Sequence, residues 1–196
     1  MVVAQDTSFT RLVALACHDL RTPLATVFGF ARTLTRSGGL DETSARYVGM
    51  IESASEQIGE LLEELGLAAR IEAGRYAPTF AEADTAQLAG VAAERLGADR
   101  VSVSGAGGRI SIDREATERA VSALVQCALR HGGLDEVAVV ASGAELTVAP
   151  ITKASAPVVL GQDLRDLGAA VAVRVIEAQG GSVAVDGETL TVRLPA

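Results

Sequence analysis

The sequence predicts an α+β protein in which a long helical hairpin precedes an α/β sandwich. Two observations support this fold class. Apolar side chains in residues 8–36 and 41–73 repeat with alternating spacings of four and three, which is typical of helices that pack along a seam. Beyond Pro78 the pattern changes to short strands between helices. The sequence therefore predicts two domains, a helical hairpin over residues 1–77 and a two-layer sandwich over residues 78–196.

The first helix is predicted over residues 8–36. Thr7 or Ser8 can cap its start, and the glycines after Ser37 stop it. Pro23 lies inside the helix, where it removes one backbone hydrogen bond and favours a bend. The apolar seam consists of Val13, Cys17, Leu20, Leu24, Val27, Ala31 and Leu34.

The second helix is predicted from a cap at Asp41 to about Ala73, where Gly74 ends it. Its apolar stripe consists of Tyr47, Ile51, Ala54, Ile58, Leu61, Leu65 and Ala68. Two helices joined by a short loop form an antiparallel hairpin, which cannot bury two such stripes alone. We expect a homodimer with a four-helix bundle. The alternative is that the second domain covers the stripes.

The second domain is predicted to contain a sheet with three helices packed on one of its faces. The helices are 84–96, capped by Asp84, then 114–131 and 164–179. The strands are 101–104, 109–112, 136–141, 145–149, 182–186 and 189–194, and the last two form a hairpin around Asp186-Gly187.

Composition excludes several classes of function. The chain of 196 residues has a net charge of −8 and no run of Lys or Arg, which argues against nucleic-acid binding. No stretch is apolar enough for a membrane span, and the start lacks the features of a signal peptide. Cys17 and Cys127 lie in apolar helical patterns and are expected to be reduced and buried. These features predict a cytoplasmic protein.

The candidate site is the run from Cys17 to Leu24, which reads Cys-His-Asp-Leu-Arg-Thr-Pro-Leu. His18 lies one residue beyond the seam, which predicts an exposed imidazole beside the carboxylate of Asp19. Such a pair is a nucleophile with a base at hand. Arg21 and Thr22 follow within one turn, and Thr22 shares the face of His18. His131, the other histidine, ends a helix, where it is expected to interact with free carbonyl groups.

This run resembles the H-box of HisKA-type sensor histidine kinases. The second half is similar to the Bergerat-type ATP-binding domain of the same family. Two segments carry that likeness, ISIDREATERAVSALVQCALRHGG for the N-box strand and helix and LGAAVAVRVIEAQGGSVAVDGETLTVRLP for the last helix and terminal hairpin. The resemblance covers nearly the whole chain.

The resemblance fails where the family binds nucleotide. Cys127 stands where the N-box has the Asn that holds Mg²⁺, and Ala123 replaces the preceding Asn. The Asp that contacts adenine has no counterpart between Asp135 and Asp163, and the glycine-rich lid has shrunk. Because a thiol is a poor ligand for Mg²⁺, these losses favour a degenerate sandwich that does not use ATP.

The intact H-box with a degenerate ATP domain resembles the dimeric histidine phosphotransferases of bacterial phosphorelays. The resemblance implies phosphoryl transfer through His18 between receiver domains of response regulators. Asp19 would orient the ring or accept its proton, Arg21 would steer the phosphoryl charge, and Thr22 would position water during dephosphorylation of the regulator. Any Mg²⁺ would belong to the receiver. The alternatives are an ATP-dependent kinase with divergent boxes and a non-enzymatic dimeric adaptor of response regulators.

Overall fold

The structure, a computed structural model, describes residues 7–195, with side chains from Phe9 onward. The chain divides into two compact units, the first ending at Arg75 and the second beginning at Tyr76. The predicted α+β class, a helical hairpin followed by an α/β sheet domain, is confirmed. The elements are α1 (Thr7–Ser37), α2 (Glu42–Glu72), β1 (Phe80–Asp84), α3 (Thr85–Leu96), β2 (Val101–Gly107), β3 (Arg109–Asp113), α4 (Arg114–Gly132), β4 (Val137–Gly143), β5 (Glu145–Ala149), α5 (Ala156–Val159), α6 (Leu167–Ala178), β6 (Ser182–Asp186) and β7 (Thr189–Arg193).

The hairpin consists of two 31-residue helices. Helix α1 continues through Pro23, whose ring has no N–H to donate to the carbonyl of Asp19. The predicted cap at Thr7 or Ser8 lies outside the described side chains. Helix α2 starts as predicted, because Asp41 Oδ1 accepts the backbone N–H groups of Thr43 and Ser44, each at 3.0 Å. Hydrogen bonds from the Ser44 side chain and backbone hold the pKa of Asp41 below its ordinary value.

The two helices bury only part of the predicted seams against each other. On α1, Cys17 and Ala31 are buried, whereas Leu20, Val27 and Leu34 are about half exposed. On α2 the buried residues each follow a predicted stripe residue by one position; they are Ser55, Leu62, Gly66 and Ala69. The predicted α2 stripe itself includes exposed large side chains, namely Tyr47, Ile51, Ile58, Leu61 and Leu65. Each helix therefore carries an apolar stripe that the single chain leaves in contact with solvent.

The helices approach each other closely where α2 has glycine. A Cβ atom at Gly66 would lie 3.7 Å from Cys17 Cβ, and one at Gly59 would lie 3.8 Å from Leu24 Cδ2. Gly66 thus faces the residue immediately before His18. The small α2 residue lets Cys17 be buried while its neighbour in the sequence remains in solvent.

The second unit contains a five-stranded sheet in the order β2-β4-β5-β7-β6. Strands β2 and β4 are parallel, and the other neighbours are antiparallel. Alternate residues of the strands are buried, so one face of this sheet belongs to the core. The buried residues include Val137, Val139, Leu146, Val148, Leu190 and Val192. Helices α3, α4 and α6 pack together and provide the rest of the core. Strands β1 and β3 form a separate antiparallel pair.

The carboxylate of Asp113, the N-cap of α4, accepts three hydrogen bonds. Its Oδ1 accepts the N–H of Ala116 at 3.3 Å, and its Oδ2 accepts the hydroxyl of Tyr76 at 3.0 Å and the N–H of Thr79 at 3.3 Å. The buried Gln179 accepts the N–H of Asp113 at 2.7 Å. The start of the unit and the end of α6 are thus attached to the same end of α4.

The structure differs from the predicted elements at a few places. Strand β1 and the short helix α5 were not predicted from the sequence. Helix α6 begins at Leu167 instead of 164, because Asp166 caps it by accepting the N–H of Ala169 at 3.0 Å. Strand β2 extends to Gly107, because its last residues pair with β4. Within residues 7–195, no helix is long and apolar enough to cross a membrane.

Candidate functional site

His18 lies on an exposed face of α1, and the local helix geometry explains its position. Its side chain is 78% exposed, whereas Cys17 beside it is buried against α2. Successive helical residues are about 100° apart, so His18 lies roughly 160° from the apolar Leu20 and about 180° from Val27. The histidine and the exposed apolar stripe of α1 therefore occupy opposite sides of the helix.

The neighbouring carboxylate contacts one ring nitrogen of His18. Nδ1 of His18 lies 3.2 Å from Oδ1 of Asp19, and both side chains are mostly exposed. With Asp19 ionised, this contact is a hydrogen bond when Nδ1 carries the proton. That tautomer leaves the lone pair on Nε2 free for an electrophile.

Arg21 and Thr22 share a shallow groove with His18. The groove is lined by His18, Arg21, Thr22, Ala25 and Thr26, all from α1. Thr26 Oγ1 donates a hydrogen bond to the carbonyl of Thr22 at 3.2 Å. The groove thus brings together three of the four residues predicted from the sequence, His18, Arg21 and Thr22, whereas Asp19 lies outside it and contacts the His18 ring. An anionic group at His18 Nε2 would have a cation and a hydroxyl nearby.

Cys127, the residue at the N-box position, is completely buried in α4. Burial and the nearby Asp166 carboxylate raise the pKa of its thiol to about 12. The thiol is therefore protonated at neutral pH. A buried neutral thiol is a poor ligand for Mg²⁺, which prefers hard oxygen ligands.

The chain between β5 and α6 packs apolar side chains against α4 and α6. Val158 and Val159 of α5 are fully buried, and α5 contacts both α4 and α6. Thr152 and Ser155 hydrogen bond to each other, with Thr152 N–H donating to Ser155 Oγ at 3.1 Å. Gly161 has a φ of +64°, and a Cβ there would lie 3.3 Å from Ala170 Cα, so this segment approaches α6 closely.

His131 contacts a side chain on another helix, a relationship that was not predicted from the sequence. Its Nε2 lies 3.1 Å from Oδ2 of Asp166, the residue that caps α6. The expected interaction was with carbonyl groups at its own helix end. Arg130 Nη1 lies 3.7 Å from the same carboxylate oxygen. The signal available in the sequence was the spacing of Cys127 and His131, one turn apart on α4; Asp166 is brought there only by the fold.

Comparison with known proteins agrees with this geometry. Residues 10–74 match the His Kinase A (phospho-acceptor) domain. The probable sensor histidine kinase TcrY of Mycobacterium tuberculosis is 39% identical over 72 residues, which cover 37% of this chain and 15% of that protein. The sensor protein DivL of Caulobacter vibrioides is 32% identical over 60 residues, which cover 31% of this chain and 8% of DivL. The matched regions are thus small parts of these relatives.

Solved structures share the fold of almost the whole chain. Full-length ShkA in complex with AMPPNP superposes with a TM-score of 0.70 at 19% identity, covering 93% of this chain and 44% of ShkA. The Acinetobacter baumannii histidine kinase AdeS gives 0.55 at 16% identity, covering 91% of this chain and 97% of that one.

The fold and the exposed histidine define a histidine kinase-like two-component signalling protein with a phospho-acceptor domain. Its hairpin contains a His Kinase A (phospho-acceptor) domain over residues 10–74, and over this region the chain is similar to HisKA-type sensor histidine kinases.

Proposed function

We propose that the protein carries a phosphoryl group on His18 between receiver domains of response regulators and does not use ATP. The observation that carries this proposal is the contrast between two positions. His18 is 78% exposed with Asp19 at its Nδ1, whereas Cys127, at the N-box position, is 0% exposed. The first position suits a phosphoacceptor, and the second does not suit Mg-ATP.

The transfer uses the neutral imidazole as nucleophile. Nε2 of His18 attacks the phosphorus of an aspartyl phosphate on the donor receiver, and the bond between phosphorus and the carboxylate oxygen breaks. The ring then carries a positive charge, which the Asp19 carboxylate stabilises through the proton on Nδ1. The reverse reaction with a second receiver returns the phosphoryl group to an aspartate.

Arg21 and Thr22 have supporting roles in this proposal. Arg21 attracts the phosphoryl charge toward the groove, because an arginine suits phosphate oxygens. Thr22 positions water when the bound regulator is dephosphorylated. The Mg²⁺ that assists the chemistry is held by the acidic pocket of the receiver, and this chain supplies no metal or nucleotide cofactor to the reaction.

Several losses together weaken the binding of ATP in this proposal. A hydrogen bond to a charged group contributes about 1.5–3 kcal/mol. Without the N-box Asn and the adenine-binding Asp, nucleotide affinity falls roughly a hundredfold or more. In the segment between β5 and α6, Val158 and Val159 are fully buried, which does not suit a mobile lid over a nucleotide.

We also propose that two copies form a four-helix bundle through the exposed stripes of α1 and α2. The stripes follow a four-three repeat along both helices, and exposed apolar surface of this kind marks an interface. Because His18 lies on the opposite side of α1 from Leu20 and Val27, dimerisation leaves the imidazole accessible to a receiver.

One experiment tests the proposed function. The purified chain is incubated separately with labelled Mg-ATP and with receiver domains carrying labelled aspartyl phosphate. We expect label on the chain only in the second case. His18→Gln should abolish the labelling, and the matched variant His131→Gln should retain it. Labelling by ATP would instead indicate a kinase, and no labelling by any receiver would indicate an adaptor.

A further inference from the structure

Three potential metal ligands lie close together between α4 and α6 in the second unit. None of them has a role in the proposed phosphoryl transfer. They are Cys127, His131 and Asp166, and one ligand atom from each lies within 4.8 Å of the other two. Cys127 is fully buried, whereas the side chains of His131 and Asp166 are 17% and 11% exposed. The cluster therefore has an apolar back and an edge that reaches solvent.

The geometry of the cluster is close to that of a tetrahedral site. Zinc bonds of about 2.0–2.3 Å to sulfur, nitrogen and oxygen place neighbouring ligand atoms about 3.3–3.6 Å apart. His131 Nε2 and Asp166 Oδ2 are already 3.1 Å apart. Cys127 and His131 are separated by one helical turn, so both side chains extend from the same face of α4. The three ligand atoms, which lie within 4.8 Å of one another, need to move only slightly closer together to reach the separations of a zinc site.

We propose that this cluster binds a divalent metal ion of the zinc type through Cys127 Sγ, His131 Nε2 and Asp166 Oδ2. Sulfur, imidazole nitrogen and one carboxylate oxygen form a ligand set that suits Zn²⁺ and disfavours Mg²⁺ and Ca²⁺. The fourth position is open toward the exposed edge of His131 and Asp166, where water or another small ligand binds.

Asp166 can bind the ion without losing its structural role. Its Oδ1 accepts the N–H of Ala169 at 3.0 Å and caps α6, and Oδ2 faces the other two ligands. Binding replaces the hydrogen bond between His131 and Asp166 with two metal bonds; the Nε2 proton of that hydrogen bond is released to water, and a neutral ring then carries its proton on Nδ1. The proton on the Cys127 thiol goes to water as the bond from sulfur to the metal forms.

Two arginines oppose a cation at this position: Arg165, which interacts electrostatically with the Cys127 thiol, and Arg130, whose Nη1 lies 3.7 Å from Asp166 Oδ2. The Arg130 side chain is 64% exposed, so it can turn into solvent when the ion binds. The bound ion then joins the last turn of α4 to the first turn of α6 and stabilises their packing.

The test uses the full chain, freed of metal and kept reduced, and Co²⁺ as a spectroscopic probe. We expect one Co²⁺ per chain, with the visible bands of tetrahedral cobalt and a charge-transfer band from thiolate to cobalt. Zn²⁺ should displace the cobalt and raise the unfolding temperature. Cys127→Ala should remove the charge-transfer band, while the matched variant Cys17→Ala should keep both band and affinity.

Two further variants keep the proposal testable if the core substitution perturbs folding. Asp166→Asn can still cap α6, because asparagine is a good N-cap residue, but it loses the charged ligand. His131→Gln removes the imidazole. Each should weaken binding at least about tenfold while the circular dichroism spectrum stays unchanged. The absence of a thiolate band in the unmodified chain, or equal binding by Cys127→Ala, would show that the cluster is only an ion pair between helices.

Discussion

Nδ1 of His18 lies 3.2 Å from Oδ1 of Asp19, and this contact decides which ring nitrogen is available for chemistry. The carboxylate favours the tautomer with the proton on Nδ1, so the lone pair is on Nε2. Both side chains are mostly exposed, so the ring can be approached from solvent in this arrangement of the hairpin. One sequence neighbour thus orients the proposed nucleophile.

The first prediction concerns the charge of Asp19. Asp19→Asn keeps an oxygen that can accept from Nδ1 but removes the charge that stabilises the phosphorylated ring. We expect phosphoryl uptake from a receiver to slow by about a hundredfold with the same final site of labelling. Rapid-quench kinetics would measure this. Glu56→Gln, which removes an exposed carboxylate from α2, should react at the normal rate; an equal loss in both variants would assign the effect to overall charge.

The second prediction concerns the exposed stripe of α2. The chain should be a dimer with a mass of about twice 20.1 kDa in light scattering. Ile58→Glu places a charge within the stripe and should give a monomer, because a charge buried without a partner is costly. Gln57→Glu introduces the same charge one residue away, outside the stripe, and should leave the dimer intact. A monomeric unmodified protein at micromolar concentration would contradict the proposed bundle.

Helix boundaries could be predicted from the sequence because their signals are local. Asp41 and Asp84 cap α2 and α3, and Gly97 and Gly133 end α3 and α4, as the residue types indicate. Strand β1 lacked such a signal, because four of its five residues are not buried and, among the strands of residues 7–195, it pairs with β3 alone. Helix α5 has four residues, and its position depends on packing against α4 and α6.

Local sequence signals also predicted one side-chain cluster, around His18, but not the other, around Asp166. His18, Arg21 and Thr22 lie within five residues, so helical periodicity was enough to predict that they share one groove, with Asp19 beside His18. The seam was predicted less accurately, since an apolar repeat does not say whether a residue faces its own hairpin or a second copy. Leu20 is exposed in the chain, although Cys17 of the same repeat is buried. No local sequence pattern predicts the contact between Asp166 and His131, because it forms only when α6 packs on α4.

The third prediction concerns nucleotide. Calorimetric titration with Mg-ATP should give no binding at ordinary concentrations, with an ATP-binding histidine kinase as the positive control. Cys127→Asn should also fail to bind, because it restores one anchor of about 1.5–3 kcal/mol and leaves the adenine contact and the lid missing. Low-micromolar binding by the unmodified chain would contradict the proposal and favour a kinase with divergent boxes.

The fourth prediction concerns the contact between Gly66 and Cys17. A Cβ at residue 66 would lie 3.7 Å from Cys17 Cβ, an ordinary van der Waals distance, and the backbone is helical. Gly66→Ala should therefore raise the free energy of unfolding by about 0.5–1 kcal/mol in urea denaturation. Gly49→Ala, where a Cβ meets nothing within 4 Å, measures the gain from helix propensity alone. A destabilised Gly66→Ala would mean that the helices are closer at Cys17 than this contact distance.

The last prediction separates two activities at the groove beside His18. Thr22 lies one helical turn after His18 and lines the same groove. Transfer requires Nε2 in line with phosphorus, whereas hydrolysis requires an ordered water in that line. Thr22→Ala should therefore retain transfer from a receiver to His18 and slow the loss of phosphate from the bound regulator. Both rates must be measured with one receiver.

Thr26→Ala is the matched control, since Thr26 lines the groove one turn further on and donates its hydroxyl to the Thr22 carbonyl. It should leave both rates unchanged. Equal loss of transfer and hydrolysis in Thr22→Ala would assign Thr22 to docking or helix shape instead of water positioning.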